Sequence, residues 1–241
     1  MDVEFLGRTT YALVTLVGPD VGGSDVVGIY RVDGPHTFTV VADIGAFSVA
    51  NPPATPFVGP SGLQYAFEAY RGGFVVTDGH HNRVLRVTLD GEVSEMATFG
   101  DVVPTGLEVS GRTIYLAEAG PVPHLPEAGV VVAFRAGSSH VSEVASGAPL
   151  LVDVERGRGR GLFALAQGYF PPGGEPGSPA APGTGSLAKV DASSGTLVPV
   201  VTGLDRPTSL EIAGSTAYVV TLAGEVWTVD NVSRPPHGAR G

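Results

Sequence analysis

The chain has 241 residues, a formal net charge of −10 and no cysteine. That charge argues against nucleic-acid binding, which needs clustered cations, and against anionic membrane surfaces. No run approaches the roughly 18 apolar residues of a membrane span, so membrane insertion is not expected either. The missing cysteine excludes disulfides, thiolate metal sites and a cysteine nucleophile, while 43% hydrophobic content excludes global disorder.

Glycine and proline, 35 and 20 residues respectively, punctuate short apolar runs rich in Val, Thr, Tyr and Phe. Such runs read as strands bounded by turns. The first set is Val3–Leu6, Thr10–Leu16, Gly28–Val32 and Thr37–Ala42. The second is Leu63–Ala69, Gly73–Thr77, Arg83–Thr88 and Glu92–Thr98. A third follows at Thr105–Val109, Thr113–Ala117, Val130–Phe134 and His140–Ala145. The fourth is Leu150–Glu155, Leu162–Ala166, Ser186–Val190 and Thr196–Val201. The fifth has only three strands, Thr208–Ile212, Thr216–Thr221 and Glu225–Val229. A polar C-terminal tail, 233–241, follows a single domain of residues 1–232. No amphipathic helical window competes with this reading.

The stretch Val103–Glu118 recurs, altered, as Arg206–Thr221, each reading strand, tight turn, strand. Five such units at roughly 48 residues each predict an all-β fold, a β-propeller with about five four-stranded blades. The last blade is incomplete, which fits either closure by N-terminal residues or part of a six-bladed design.

Alignment of the first hairpins places Glu4, Glu68, Glu108, Glu155 and Glu211 at equivalent positions of the first strand. In a propeller that strand lines the central channel, so the five carboxylates form a channel acidic series. Two unit charges about 8 Å apart at an effective dielectric of about 20 repel by roughly 2 kcal/mol. A series of this kind needs compensation. Ca²⁺, which takes oxygen ligands, is one candidate; arginine partners or water at a channel mouth beside Arg8, Arg71, Arg112 and Arg156 are the other.

Three loops between second and third strands are long, Val17–Val27, Ala119–Gly129 and Gly168–Gly185, and loops of such length often carry function. The same face should present Asp78, His80, His81, Glu118, His124, Tyr169 and Phe170. Histidine with acid can hold a metal or move a proton. Asp78 and Asn82 equally suit turn capping, and His80 and His81 equally suit a solvent-exposed turn. Pro171–Gly185 is glycine-rich, but its prolines remove the amides a phosphate cradle needs, and no G-x-S-x-G elbow occurs.

The residues Gly72-Gly-Phe-Val-Val-Thr-Asp-Gly-His-His-Asn-Arg-Val-Leu-Arg-Val87 resemble an NHL-type repeat. Taken with Val41–Asn51, Val103-Pro-Thr-Gly106, the Pro-rich insertion Pro121–Glu127, Leu151-Val-Asp153 and Arg206-Pro-Thr208, the chain resembles the ScyD/ScyE family of propellers over about residues 28–230. Its first strands carry glutamate where that family usually has alanine. The resemblance implies a propeller fold, a bacterial secondary-metabolism setting and export, although Met1 is followed by Asp-Val-Glu-Phe, not by the start of a secretory leader. It carries no catalytic residues over and specifies no oligomeric state.

The expectation is therefore a binding propeller that holds a small molecule or a protein partner on its long-loop face. A metal-dependent hydrolase or lactonase-like propeller is the alternative, and fold alone does not choose between them.

Overall fold

Tight turns set the strand pairing. At Arg71–Gly72 both central residues have positive φ, 46° and 72°. This is the turn geometry whose twist matches the flanking strands of a two-residue hairpin. The computed structural model describes residues 2–138, 140–175 and 177–233. Every strand expected from the sequence is present in it, with ends shifted by at most three residues.

The first antiparallel sheet runs β1 (Asp2–Leu6), β2 (Thr9–Val14), β3 (Gly28–Gly34) and β4 (Thr37–Asp43) in sequential order. The second runs β5 (Gln64–Tyr70), β6 (Gly73–Asp78), β7 (Arg83–Thr88) and β8 (Val93–Thr98), again in order. The third set is β9 (Pro104–Ser110), β10 (Thr113–Glu118), β11 (Gly129–Phe134) and β12 (Val141–Ala148). The fourth is β13 (Leu151–Arg156), β14 (Leu162–Ala166), β15 (Gly185–Asp191) and β16 (Thr196–Leu204).

These last two sets are joined into one eight-stranded sheet by a parallel pairing of their outer strands, β12 with β16, at Ser146 and Thr196. An outer strand is an edge with unpaired backbone groups, and this pairing satisfies part of two edges at once. The last sheet holds three strands, β17 (Pro207–Ala213), β18 (Thr216–Thr221) and β19 (Val226–Val229). β1 pairs with β2 in the first sheet. Beyond Ser233, the expected tail lies outside the described residues.

Besides three single-turn 3-10 segments among the described residues, an α-helix departs from the all-strand expectation. Residues 44–50 form a short helix, α1 (Ile44–Ala50), where no helical window was expected. Seven residues are too few to form a stable helix alone. This one is held by Asp43, whose carboxylate accepts from the Ala46 amide at 2.8 Å, and by burial of Ile44, Gly45 and Ser48.

The chain divides into two compact units. Unit 1 comprises Met1–Ile114 and Phe134–Val141, and unit 2 comprises Tyr115–Ala133 and Ser142–Gly241. The core of unit 1 gathers Tyr11, Leu13, Ile29, Ile44, Phe67, Phe74, Val76 and Leu85. Phe74 stacks edge-on to Tyr11 at 4.9 Å and tilted to Phe67 at 5.2 Å. The core of unit 2 gathers smaller groups, among them Ala117, Val131, Ala145, Leu151, Val154, Ala164 and Val190.

Inside each unit a carboxylate links the first strands of successive sheets. Asp2 Oδ2 accepts from the Phe67 amide at 3.0 Å, and Glu68 Oε2 accepts from the Val109 amide at 3.1 Å. In unit 2, Asp153 Oδ2 accepts from the Leu210 amide at 2.7 Å. An unpaired buried amide is costly, and these acids supply the acceptor that the next strand lacks. Burial pushes the Asp2 carboxyl above its ordinary range, against the opposing pull of the amides of Phe67 and Val3.

Removing one of these acceptors should weaken the fold. Asp153→Ala is expected to lower unfolding stability in urea by about 1.5–3 kcal/mol, the usual worth of a hydrogen bond to a charged group. Asp153→Asn, which keeps an oxygen acceptor, should recover part of that loss.

Candidate functional site

Four of the five glutamates have a defined register with the second strand. Glu4 stands opposite Tyr11, Glu68 opposite Val75, Glu155 opposite Phe163 and Glu211 opposite Tyr218. In unit 1, Glu68 and Glu108 bring carboxylate oxygens within 4.8 Å of one another, and both are partly buried. Glu68 already accepts the Val109 amide. Arg71, expected beside the series, lies over the Tyr70 ring at 5.3 Å.

The Asp78–Asn82 segment of unit 1 differs from the exposed, side-chain-capped turn that its composition suggests. Asp78 and His81 are both buried, and Asp78 makes no capping bond to the turn. Instead its Oδ2 accepts from Arg83 Nε at 3.0 Å and from Ser48 Oγ at 3.3 Å, while Oδ1 accepts from Gln64 Nε2 at 3.3 Å. Arg83, 1% exposed, spends its other donors on the Asn51 carbonyl at 2.8 Å and Ser48 Oγ at 3.0 Å. Its guanidinium also sits over the Phe47 ring at 5.4 Å.

His81 completes the cluster, with Nδ1 3.0 Å from Arg83 Nη2 and Nε2 2.9 Å from the Gly59 carbonyl. Arginine only donates, so Nδ1 accepts and Nε2 carries the proton given to Gly59. Asn82 ends the turn through its backbone N–H to the Gly79 carbonyl, not through its side chain. It sits at φ 53°, and its Oδ1 accepts from the amides of Val102 and Val103. His80 is half-buried on the Val58–Gly59 side, and burial holds its pKa below the usual histidine value.

This buried ion pair underlies a groove in unit 1. Ser48 and Asn51 tie Arg83 to α1 and its C-terminus, and the Ser61 carbonyl accepts from Gln64 Nε2 at 2.9 Å. Above them, the loop from Gly18 to Val27, the solvent side of α1, and Pro60–Ser61 enclose about 620 Å³. Val26, Val27, Ala46, Val49 and Pro60 line it, with Asp20, Asp25 and Asp43 as its charged groups. Asp20 Oδ2 accepts from Ser61 Oγ at 2.6 Å, which holds its carboxyl below the ordinary range and clamps two groove walls together. Sequence reasoning singled out this loop by length but missed the three aspartates, α1 and Arg83. A local signal existed only for Asp43, a capping residue immediately before Ile44-Gly-Ala-Phe.

Unit 2 holds the remaining candidates. Glu118, at the end of β10, is 7% exposed, and burial reinforced by the charge of Glu143 pushes its carboxyl up to about 7. His124 Nδ1 lies 3.2 Å from the Ala119 carbonyl, and its ring meets Phe170 edge-on at 5.4 Å. Tyr169 is half exposed on the Gly168–Gly185 loop, where its amide donates to Thr184 Oγ1 and its carbonyl accepts from Ala181. Gln167 Oε1 accepts from the Ala180 amide at 2.9 Å. The structure therefore joins Asp78 with His81 in one unit and His124 with Phe170 in the other.

No known protein family and no curated protein matches the chain by sequence. Solved structures do resemble it. A chain of a nidogen/laminin complex superposes with a TM-score of 0.66 at 12% identity, covering 95% of this chain and 75% of that one. A streptogramin B lyase gives 0.56 at 11% identity, covering 97% and 69%. A gluconolactonase from Xanthomonas campestris gives 0.54 at 16% identity, covering 84% and 64%. At these identities the likeness establishes the fold, which is a β-propeller.

The buried acid of unit 2 gives a pH dependence with a definite sign. Glu118 has a higher pKa folded than unfolded, so the folded state binds the extra proton between about pH 4.5 and 7. Its contribution is most favourable below that window and is lost as pH rises through it. The loss is on the order of 3 kcal/mol for a shift of this size. Glu118→Gln should flatten the fall in melting temperature between pH 5 and 8 and exceed the wild type at pH 8. Parallel pH profiles for the two proteins would contradict the assignment.

Proposed function

We propose that this β-propeller is a small-molecule-binding protein of the ScyD/ScyE type, with its ligand site on the long-loop side of unit 1. The observation that carries the reading is the groove of about 620 Å³ between the Gly18–Val27 loop and α1. Its size falls in the range of small-molecule pockets, about 300–1,000 Å³, and its combination of apolar wall and few polar groups is typical of them. The buried Asp78–Arg83 pair supports it, because Arg83 fixes α1 from beneath and makes the wall rigid before any ligand arrives. Asp78 and His81 thus act as supports of the site, not as groups that touch the ligand.

Thermal-shift screening of small amphipathic molecules, repeated on Ala46→Trp, tests this reading. Ala46 is exposed on the groove side of α1, so an indole there should occupy the groove without entering the core. Stabilisation seen in the wild type and lost in the variant is the expected result. Hits that persist unchanged in Ala46→Trp would move the site elsewhere.

A second reading, a metal-dependent hydrolase or lactonase-like enzyme, draws on the close approach of Glu68 and Glu108 and on the likeness to a gluconolactonase. Under this reading calorimetric titration with Ca²⁺ gives heat that Glu108→Ala abolishes, and lactone turnover depends on the metal. Absence of heat in the wild type removes it.

A further inference from the structure

We infer that the groove of unit 1 takes an organic monocation, a protonated amine carried on an apolar body. This rests on the small-molecule reading of the groove and adds the ligand's chemical class. Charge complementarity is the first argument. The charged side chains lining the groove are Asp20, Asp25 and Asp43, all acidic, and among the described residues no lysine, arginine or histidine lines it with them. Anionic ligands would meet three like charges at close range.

The apolar floor is the second argument. Val26, Val27, Val49 and Pro60 offer nothing to an inorganic ion, whereas they match a hydrocarbon or aromatic body. A chelated metal is further disfavoured by spacing. Among the described residues, these three aspartates do not bring three carboxylate oxygens within 4.8 Å of one another, as a shared ion would require. Carboxylates spread around an apolar groove suit a larger, diffuse cation better than a point ion.

Two of the three acids have structural duties, which directs the choice of variant. Asp20 holds Ser61, and Asp43 caps α1 through Ala46. Asp25 lies exposed at the groove with no side-chain hydrogen bond among the described residues. Asp25→Asn therefore removes one charge while leaving both walls of the groove tied.

The test compares three probes of nearly equal shape, naphthylethylamine, naphthylethanol and naphthylacetate, by calorimetry at low and high salt. The amine should bind about tenfold tighter than the alcohol at low salt and lose most of that advantage at high salt, since exposed charges are screened. The acetate should bind weaker than the alcohol. Asp25→Asn, checked for an unchanged melting temperature, should cut the amine's advantage to about threefold without changing alcohol binding.

Equal binding of amine and alcohol, or an advantage untouched by Asp25→Asn, overturns the ligand class while leaving the groove as a site. Binding of none of the three overturns the inference and counts against the groove reading as well. Amine binding that Ala46→Trp leaves intact means general attraction to an acidic chain, and overturns both.

Discussion

The joint between successive sheets depends on a carboxylate accepting a backbone amide. Strand pairing inside a sheet satisfies the ladder, but the first strand of each sheet has one side with no strand beside it. Asp2, Glu68 and Asp153 fill that need for Phe67, Val109 and Leu210. In the two hairpin registers, Asp2 and Asp153 stand two residues before Glu4 and Glu155, on the same face of the strand. Each acid reaches the amide one register position further along the next first strand. At these three positions the acid therefore has a structural role, as acceptor for a backbone amide of the next first strand.

A second constraint sits beneath the groove. Burying Arg83 and Asp78 removes two charges from water, which is tolerable only when each donor and acceptor finds a partner. Here the partners come from four segments: Ser48 and Asn51 around α1, Gln64 on β5, His81 in the turn, and Gly59 through His81. That demand couples the backbone of α1 to the second sheet. It also explains why a helix of only seven residues persists at the end of β4.

The sheets were legible in the sequence because strand alternation and turn residues are local signals. The strand register of Glu4, Glu68, Glu155 and Glu211 was legible too, since a repeat can be aligned against itself. Their chemistry was not, because whether Glu68 meets an ion, an arginine or an amide depends on the neighbouring sheet. His81 and Asp78 illustrate the same limit. A short polar segment between strands reads as an exposed turn, and only the fold reveals that Arg83, five residues from Asp78, draws it inward. The groove was harder still, because Asp20, Asp43 and Pro60 come from separate segments and share no spacing pattern.

The acid-to-amide joint also has a direction. In all three cases the earlier sheet supplies the carboxylate and the later sheet the amide. A joint of this head-to-tail kind presents different surfaces on its two sides, unlike the self-complementary contact of a two-fold pair. It can be repeated by adding another unit of the same polarity, and it does not itself count the units. At these three joints the polarity is therefore carried in a single acidic side chain.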